Sequence, residues 1–196
     1  LVYFLKLNIE TVRISSIDLY LESFLISCIF TTLCLMILVN GTNFTDGLNG
    51  LVLSYYLLIS YFIYKLNLNS FIFLSHQEYL IFLSNLFILL IFNLKNKLYL
   101  GDSGSYLISL IYGIFLIKIF QNNNYISPYF IALLLWYPAF ETFFSILRKL
   151  KKNQLPTSAD NYHLHQLLFK YINYKFKFKT NLSNNFSSLI IMLYNV

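Results

Sequence analysis

Charge is what this sequence has least of. Only 11% of its 196 residues are Asp, Glu, Lys or Arg, against 58% hydrophobic, and the mean hydropathy is +0.63. Soluble domains carry roughly 25% charged residues. This chain therefore cannot cover a globule with water-compatible surface, and a lipid bilayer is its expected solvent. The net charge of +6 does not indicate a nucleic-acid partner, because the lysines flank apolar runs and form no basic domain. Cysteine is scarce too. Cys28 and Cys34 lie in one apolar run, off a common helix face and without neighbouring thiols or histidines. That excludes a disulfide framework or a thiolate metal centre and leaves two small lipid- or core-facing side chains. No signal peptide is recognisable at Leu1, which is not Met. The last apolar run, from about Phe186, is shorter than the roughly 20 residues a bilayer crossing needs. The expectation is that 1–196 is a single transmembrane unit forming the C-terminal part of a longer protein.

The apolar runs predict an all-α, polytopic membrane bundle. About five full spans can be drawn, over 22–39, 49–65, 79–95, 104–120 and 128–147, with the start of a sixth near Phe186. Tyr20, Tyr64, Tyr79, Tyr125 and Tyr137 stand near span ends, where interfacial belts form. Pro138 is expected to kink the last full span. In the segment 1–21, Leu7, Ile9, Val12 and Ile14 hint at short extended structure. Lysine and arginine set the orientation. Lys95 and Lys97 mark one loop, and eight basic residues lie between Arg148 and Lys179, whereas loops 66–78 and 121–127 carry none. The positive-inside rule makes the basic segments cytoplasmic, and alternation brings 40–48 to the same face.

Three polar islands therefore share one side of the membrane. The first, Asn40-Gly-Thr-Asn-Phe-Thr-Asp-Gly-Leu-Asn-Gly50, interrupts a stretch with no other charge between Glu22 and Lys65. Asn40, Asn43, Asp46 and Asn49 recur every third residue, so a helical stretch would set them along one slowly rotating face. The alternative is a loop whose Asn, Asp and Gly residues make turns. The second island, Leu100-Gly-Asp-Ser-Gly-Ser105, opens a span. Ser103 or Ser105 could cap the helix, whose N-terminus would attract an anion such as phosphate. Asp102 could hold a cation bridging that anion, with magnesium the suitable ion, or serve as an ordinary cap. The third island runs from Thr157 to Gln166. Asp160 is a plausible N-cap for an interfacial helix reaching about Tyr171, apolar along Leu164, Leu167, Leu168 and Ile172. His163, on its polar stripe beside Gln166 and Lys170, could contact phosphate or be merely solvated. Two apart on a helix, His163 and His165 would not share a metal. Glu141, inside the last span, has no basic residue four positions away. Its partner would come from another helix or water, or its side chain would simply reach the interface.

Taken together, the islands resemble the polyprenyl-phosphate N-acetylhexosaminyl-1-phosphate transferases of bacterial membranes, the glycosyl transferase family 4 group. Asn40–Leu51 is similar to that family's Asn-x-x-Asn-x-x-Asp-Gly-x-Asn/Asp-Gly-Leu motif. Leu100–Ser105 is similar to its Gly-Asp-x-Gly-Ser motif, and Asp160–Gln166 to its Asp-x-x-His-x-His motif. The resemblance runs over nearly the whole chain. It implies transfer of a sugar-1-phosphate from a UDP-N-acetylhexosamine to undecaprenyl phosphate, with release of UMP. It also implies Mg2+, with Mn2+ as a substitute, held by Asp102 with Asn43 as a second ligand. Asp46 and Asn49 would line the nucleotide pocket, Gly101 and Ser103 would border the donor, and His163 with His165 would face the phosphates. The location implied is the bacterial inner membrane, active face toward the cytoplasm, with a homodimer left open.

The sequence departs from this family at two points. The family carries adjacent aspartates on an earlier loop, and no two acidic residues are neighbours here. That loop is expected upstream of Leu1, so the isolated chain is expected to be inactive. The third island reads His-Leu-His-Gln rather than the three consecutive histidines of the peptidoglycan branch. This favours a surface-polysaccharide initiator of O-antigen or common-antigen type, as does Tyr137–Glu141 followed by Ser145 and Arg148. Two rivals remain at this stage, a transporter with polar residues along a substrate path and a truncated, non-catalytic family member.

Overall fold

The computed structural model describes residues 1–68, 74–153, 155, 158, 160 and 162–195. It is 76% helical and contains no strand among the described residues. In chain order the helices are α1 (Val2–Leu5), α2 (Ser15–Leu21), α3 (Phe24–Thr45), α4 (Leu51–Lys65) and α5 (His76–Leu94). They continue with α6 (Gly101–Asn122), α7 (Pro128–Leu134), α8 (Trp136–Lys151), α9 (Leu164–Phe176) and α10 (Thr180–Tyr194). The expected all-α membrane bundle is what is found.

Helices α3, α5 and α6 are long and apolar enough to cross a bilayer, and α7 with α8 forms a bent pair that makes up to four spans. Among the described residues this is fewer than the five expected. Helix α4 has 15 residues, about 22 Å at the usual rise, against roughly 30 Å of hydrocarbon. It is short because residues 46–50 form the turn that precedes it, with Gly50 at φ +78°.

Local chemistry explains where several helices begin. A capping box starts α5: Ser75 Oγ accepts from Glu78 N–H at 3.3 Å, and Glu78 Oε2 accepts from Ser75 N–H at 2.7 Å. Pro128 opens α7 behind Ser127, whose hydroxyl accepts from Tyr129 N–H. The bend of 73° between α7 and α8 falls at Leu135, not at Pro138. Pro138 sits in the first turn of α8, where a missing N–H costs nothing, and its ring would clash with the carbonyl of residue 134, the last of α7.

Four more expectations are corrected. Residues 1–21 form α1 and α2, joined by chain that is neither helix nor strand and in which Ile14 has extended backbone; Ile9 N–H donates to Thr31 Oγ1 at 2.8 Å. Tyr79 and Tyr137 are 0% and 1% exposed and belong to the core, whereas Tyr20, Tyr64 and Tyr125 are exposed. Asp160 does not cap the interfacial helix, which starts at Leu164 behind His163. The last helix begins at Thr180, earlier than Phe186, because Ser183, Ser187 and Ser188 pack inward.

The core is unusually rich in hydroxyls. Tyr56, at 0% exposure, pairs with Thr42 Oγ1 at 2.6 Å. Tyr112 bonds Ser60, whose carbonyl accepts from Tyr79 Oη at 3.1 Å. These three buried phenols thus find partners on neighbouring helices, as an apolar setting requires, whereas the Tyr137 hydroxyl is buried without one among the described residues. Helix α3 is the hub and packs most extensively on α8 and α6.

Candidate active site

Helix α3 continues through the first island as far as Thr45, so Asn40 and Asn43 are helical while Asp46 ends the helix. The every-third-residue register stops there. Asn40 turns back on its own helix, its Nδ2 donating to Met36 O at 2.8 Å. Asn43 reaches across to α6, where its Nδ2 donates to Asp102 Oδ1 at 2.9 Å and to Ser105 Oγ at 3.3 Å. The C-terminal end of α3 and the N-terminal end of α6 are therefore one pole of the bundle.

Asp46 joins this pair. Partial burial raises its carboxyl to about 7, the neighbouring Asp102 charge adds to the rise, and the Gly101 N–H opposes it. Asp102 and Ser103 are exposed, and Gly101 opens α6 with φ +65°. Neither Ser103 nor Ser105 caps α6: its N-cap is Leu100, with no side-chain cap, and Ser105 Oγ bonds Asp102 O at 3.0 Å.

Asn49 lies in a different network. Its N–H donates to Asn184 Oδ1 at 2.7 Å, its carbonyl accepts from Ser188 Oγ at 2.8 Å, and its carboxamide bonds Asn96. These contacts tie the turn before α4 to α10 and to the α5–α6 connection. Gly50 N–H bonds Asn93 Oδ1 in the same network.

The third island supplies two histidines, His163 just ahead of α9 and His165 in its first turn. Its Thr157, Ala159 and Asn161 lie outside the described residues. His163 precedes the helix with extended backbone, so it does not obey helical spacing to His165. The two rings stack at 5.6 Å with 9° between their planes, and the other side of His163 stacks on Phe44 of α3 at 5.2 Å. His163 thus stands at the same pole as Asn43. His165 is fully buried against Gly47, and neither ring nitrogen has a hydrogen-bond partner among the described residues. Burial lowers its pKa to about 4, aided by His163 and opposed by Glu141, so it is neutral at physiological pH.

Glu141, which sequence reasoning left without a partner, and Asp160, which it read as a helix cap, complete the pole. Glu141, 1% exposed, meets His163 Nδ1 with Oε2 at 2.8 Å and accepts Leu164 N–H with Oε1 at 2.9 Å. Asp160 accepts both Arg148 Nε and Nη2 on Oδ2, at 3.0 and 2.6 Å, and Tyr162 N–H on Oδ1 at 3.1 Å. Burial alone would raise the Asp160 carboxyl, but hydrogen bonds led by Arg148 outweigh it and hold it at about 2. The available signal for Glu141 was an intramembrane acid with no partner on its own helix. For Phe44 there was none.

The metal donors available at Asn43, Asp46 and Asp102 are amide and carboxylate oxygens. No group of three or more His, Cys, Asp and Glu able to hold a metal occurs among the described residues. The carboxylate and amide oxygens present are donors that a hard cation such as magnesium would take, with water and substrate oxygens completing its shell.

No curated protein matches the chain, and no solved structure matches it. The family model for glycosyl transferase family 4 matches residues 1–120, which hold the Asn43, Asp46 and Asp102 cluster and end before the histidines. The family's chemistry is transfer of a phospho-sugar onto a lipid carrier, performed by multi-pass membrane proteins. A polar pole of amides and carboxylates on a bundle of apolar helices, matched over more than half its length, makes this chain a member of glycosyl transferase family 4.

Proposed function

We propose that the protein transfers N-acetylhexosamine-1-phosphate from a UDP-sugar to undecaprenyl phosphate. This would initiate a lipid-linked surface polysaccharide of O-antigen or common-antigen type. The setting is the bacterial inner membrane with the active pole toward the cytoplasm, which the basic residues near Lys95 and from Arg148 onward support. A phosphate oxygen of the lipid attacks the sugar-linked phosphorus of the donor, the pyrophosphate P–O bond breaks, and UMP leaves with its electron pair.

The observation that carries the proposal is the Asn43–Asp102 contact of 2.9 Å beside Asp46. Two residues 59 apart in sequence meet at one end of two apolar helices, next to a second carboxylate whose ionisation is opposed by burial and, to a smaller extent, by the Asp102 charge. Such a pair is relieved by a divalent cation. Mg2+, or Mn2+ in its place, would be held by Asp102 with Asn43 and would neutralise the pyrophosphate. The chain's own groups do the rest. Asn43 fixes the Asp102 carboxylate against α3. His163, locked between Phe44 and His165, supplies an imidazole edge to an anionic substrate. Positioning accounts for most of the rate in phosphoryl transfer, and a rigid array of this kind supplies it.

The test is UMP release by the full-length protein with undecaprenyl phosphate and UDP-N-acetylglucosamine. Asp102→Asn removes the carboxylate charge while keeping its shape, and it should abolish turnover. Wild-type turnover by that variant would defeat the assignment.

A further inference from the structure

Glu141 puts a carboxylate where water does not reach, in the second turn of α8, and both of its oxygens are committed. Oε2 meets His163 Nδ1 and Oε1 accepts the Leu164 N–H, at 2.8 and 2.9 Å. These donors are consecutive in the chain, at the start of a helix whose own N-cap residue provides no side-chain cap. One carboxylate from α8 therefore both seats α9 and grips the residue in front of it. A carboxylate can accept from both donors, but a carboxamide has a single acceptor oxygen and must turn its NH2 toward one of them.

The contact also determines what the imidazole can present. A carboxylate facing Nδ1 requires the proton on that nitrogen. Both ring faces are covered, by Phe44 and by His165. The ring atom left uncommitted is Nε2, on the side away from Glu141.

We propose that Glu141 is a positioning residue for the transfer reaction: it holds His163 by its Nδ1–H, so that Nε2 alone faces the nucleotide-sugar and, once it too carries a proton, donates to the phosphate oxygens. Glu141 itself touches no substrate. The inference rests on the phospho-sugar transfer proposed above.

The test uses Glu141→Gln in the full-length protein, with two readouts. The first is UMP release from UDP-N-acetylglucosamine: kcat should fall about tenfold or more, with KM for the nucleotide-sugar changed less than about threefold. The second is the 15N spectrum of histidine-labelled protein. Wild-type His163 should carry its proton on Nδ1, and the variant should show a mixture of tautomers. A variant kcat within about twofold of wild type, or a wild-type His163 protonated on Nε2 with Nδ1 bare, would overturn the proposal. If the variant fails to fold, the wild-type spectrum alone decides. If wild-type protein releases no UMP, the transfer reading fails, while the same spectrum still reports whether Glu141 holds His163 as described.

Discussion

Gly41 is where the close approach of α3 and α8 can be tested most directly. A Cβ placed there would lie 2.1 Å from the carbonyl oxygen of Pro138, 2.6 Å from its carbon and 2.7 Å from Thr142 Oγ1. The obstacle is backbone, so no rotamer change relieves it, and the helices must separate by about 1 Å to restore ordinary contact. Overpacking of this kind costs about 1–3 kcal/mol. The Thr142 hydroxyl stitches the crossing, donating to Ile37 O at 3.2 Å and Pro138 O at 3.0 Å. Separation breaks the longer bond, at about 1 kcal/mol. Gly41→Ala should therefore destabilise the protein by about 2–4 kcal/mol, lowering the unfolding midpoint by roughly 5–15 °C. The assay is thermal unfolding in detergent followed by the fluorescence of Trp136, the single tryptophan, at the start of α8. Gly104→Ala is the control. Its Cβ would meet only the side chain of Leu100, at 2.8 Å, which can move, and the helix gains from losing a glycine. A Gly41→Ala midpoint within about 2 °C of the control would refute the reasoning.

Two predictions concern pH and separate by window. His165 has its folded pKa lowered from 6.5 to about 4, so between those values the unfolded chain binds the proton and the native state does not. Stability should fall as pH drops from 6.5 to 4, and His165→Phe should flatten that limb in a pH series of unfolding midpoints. Asp160 is a carboxyl lowered from 3.8 to about 2, so its contribution is present above 3.8 and lost as pH falls toward 2. Asp160→Asn should remove that acid limb while leaving the His165 limb intact.

The class of fold was legible because composition and run length settle the solvent, and the solvent restricts backbone to helices or closed barrels. The packed faces were not legible. Helices apolar all round give no stripe to distinguish lipid from neighbour, so Tyr79 and Tyr137 read as belt residues although both are buried, Tyr79 bonded to the Ser60 carbonyl and Tyr137 packed on the rings of Tyr55 and Trp136. Span ends near residues 46–50 and 135 depended on tertiary contacts, including Gly50 N–H on Asn93 and Tyr55 Oη on the carbonyl of Leu134. At the site, Asn43, Asp46, Asp102 and His163 stood out as polar groups among apolar runs. Asn49 stood out for the same reason yet bonds Asn96, because the helix that would have kept it in register ends at Thr45. The His163 partner was hidden since Glu141 lies 22 residues earlier on another helix, a separation no local pattern encodes.

The last two turns of α3 explain why so sparse a set of groups can form a site at all. Gly41 lets the backbone of α8 approach, Asn43 reaches α6, Phe44 stacks on the residue ahead of α9, and Asp46 ends the helix beside α6. Three otherwise separate elements are thus referenced to six consecutive residues of one helix end. A displacement of α8 at Gly41 would carry Glu141 with it, and through Glu141 the imidazole of His163, while Asn43 and Asp102 would keep their own contact. The two halves of the pole would then lose register with each other without either coming apart. For a reaction whose rate depends on holding two phosphate groups in line, that loss of register is sufficient to stop turnover in a protein that still folds.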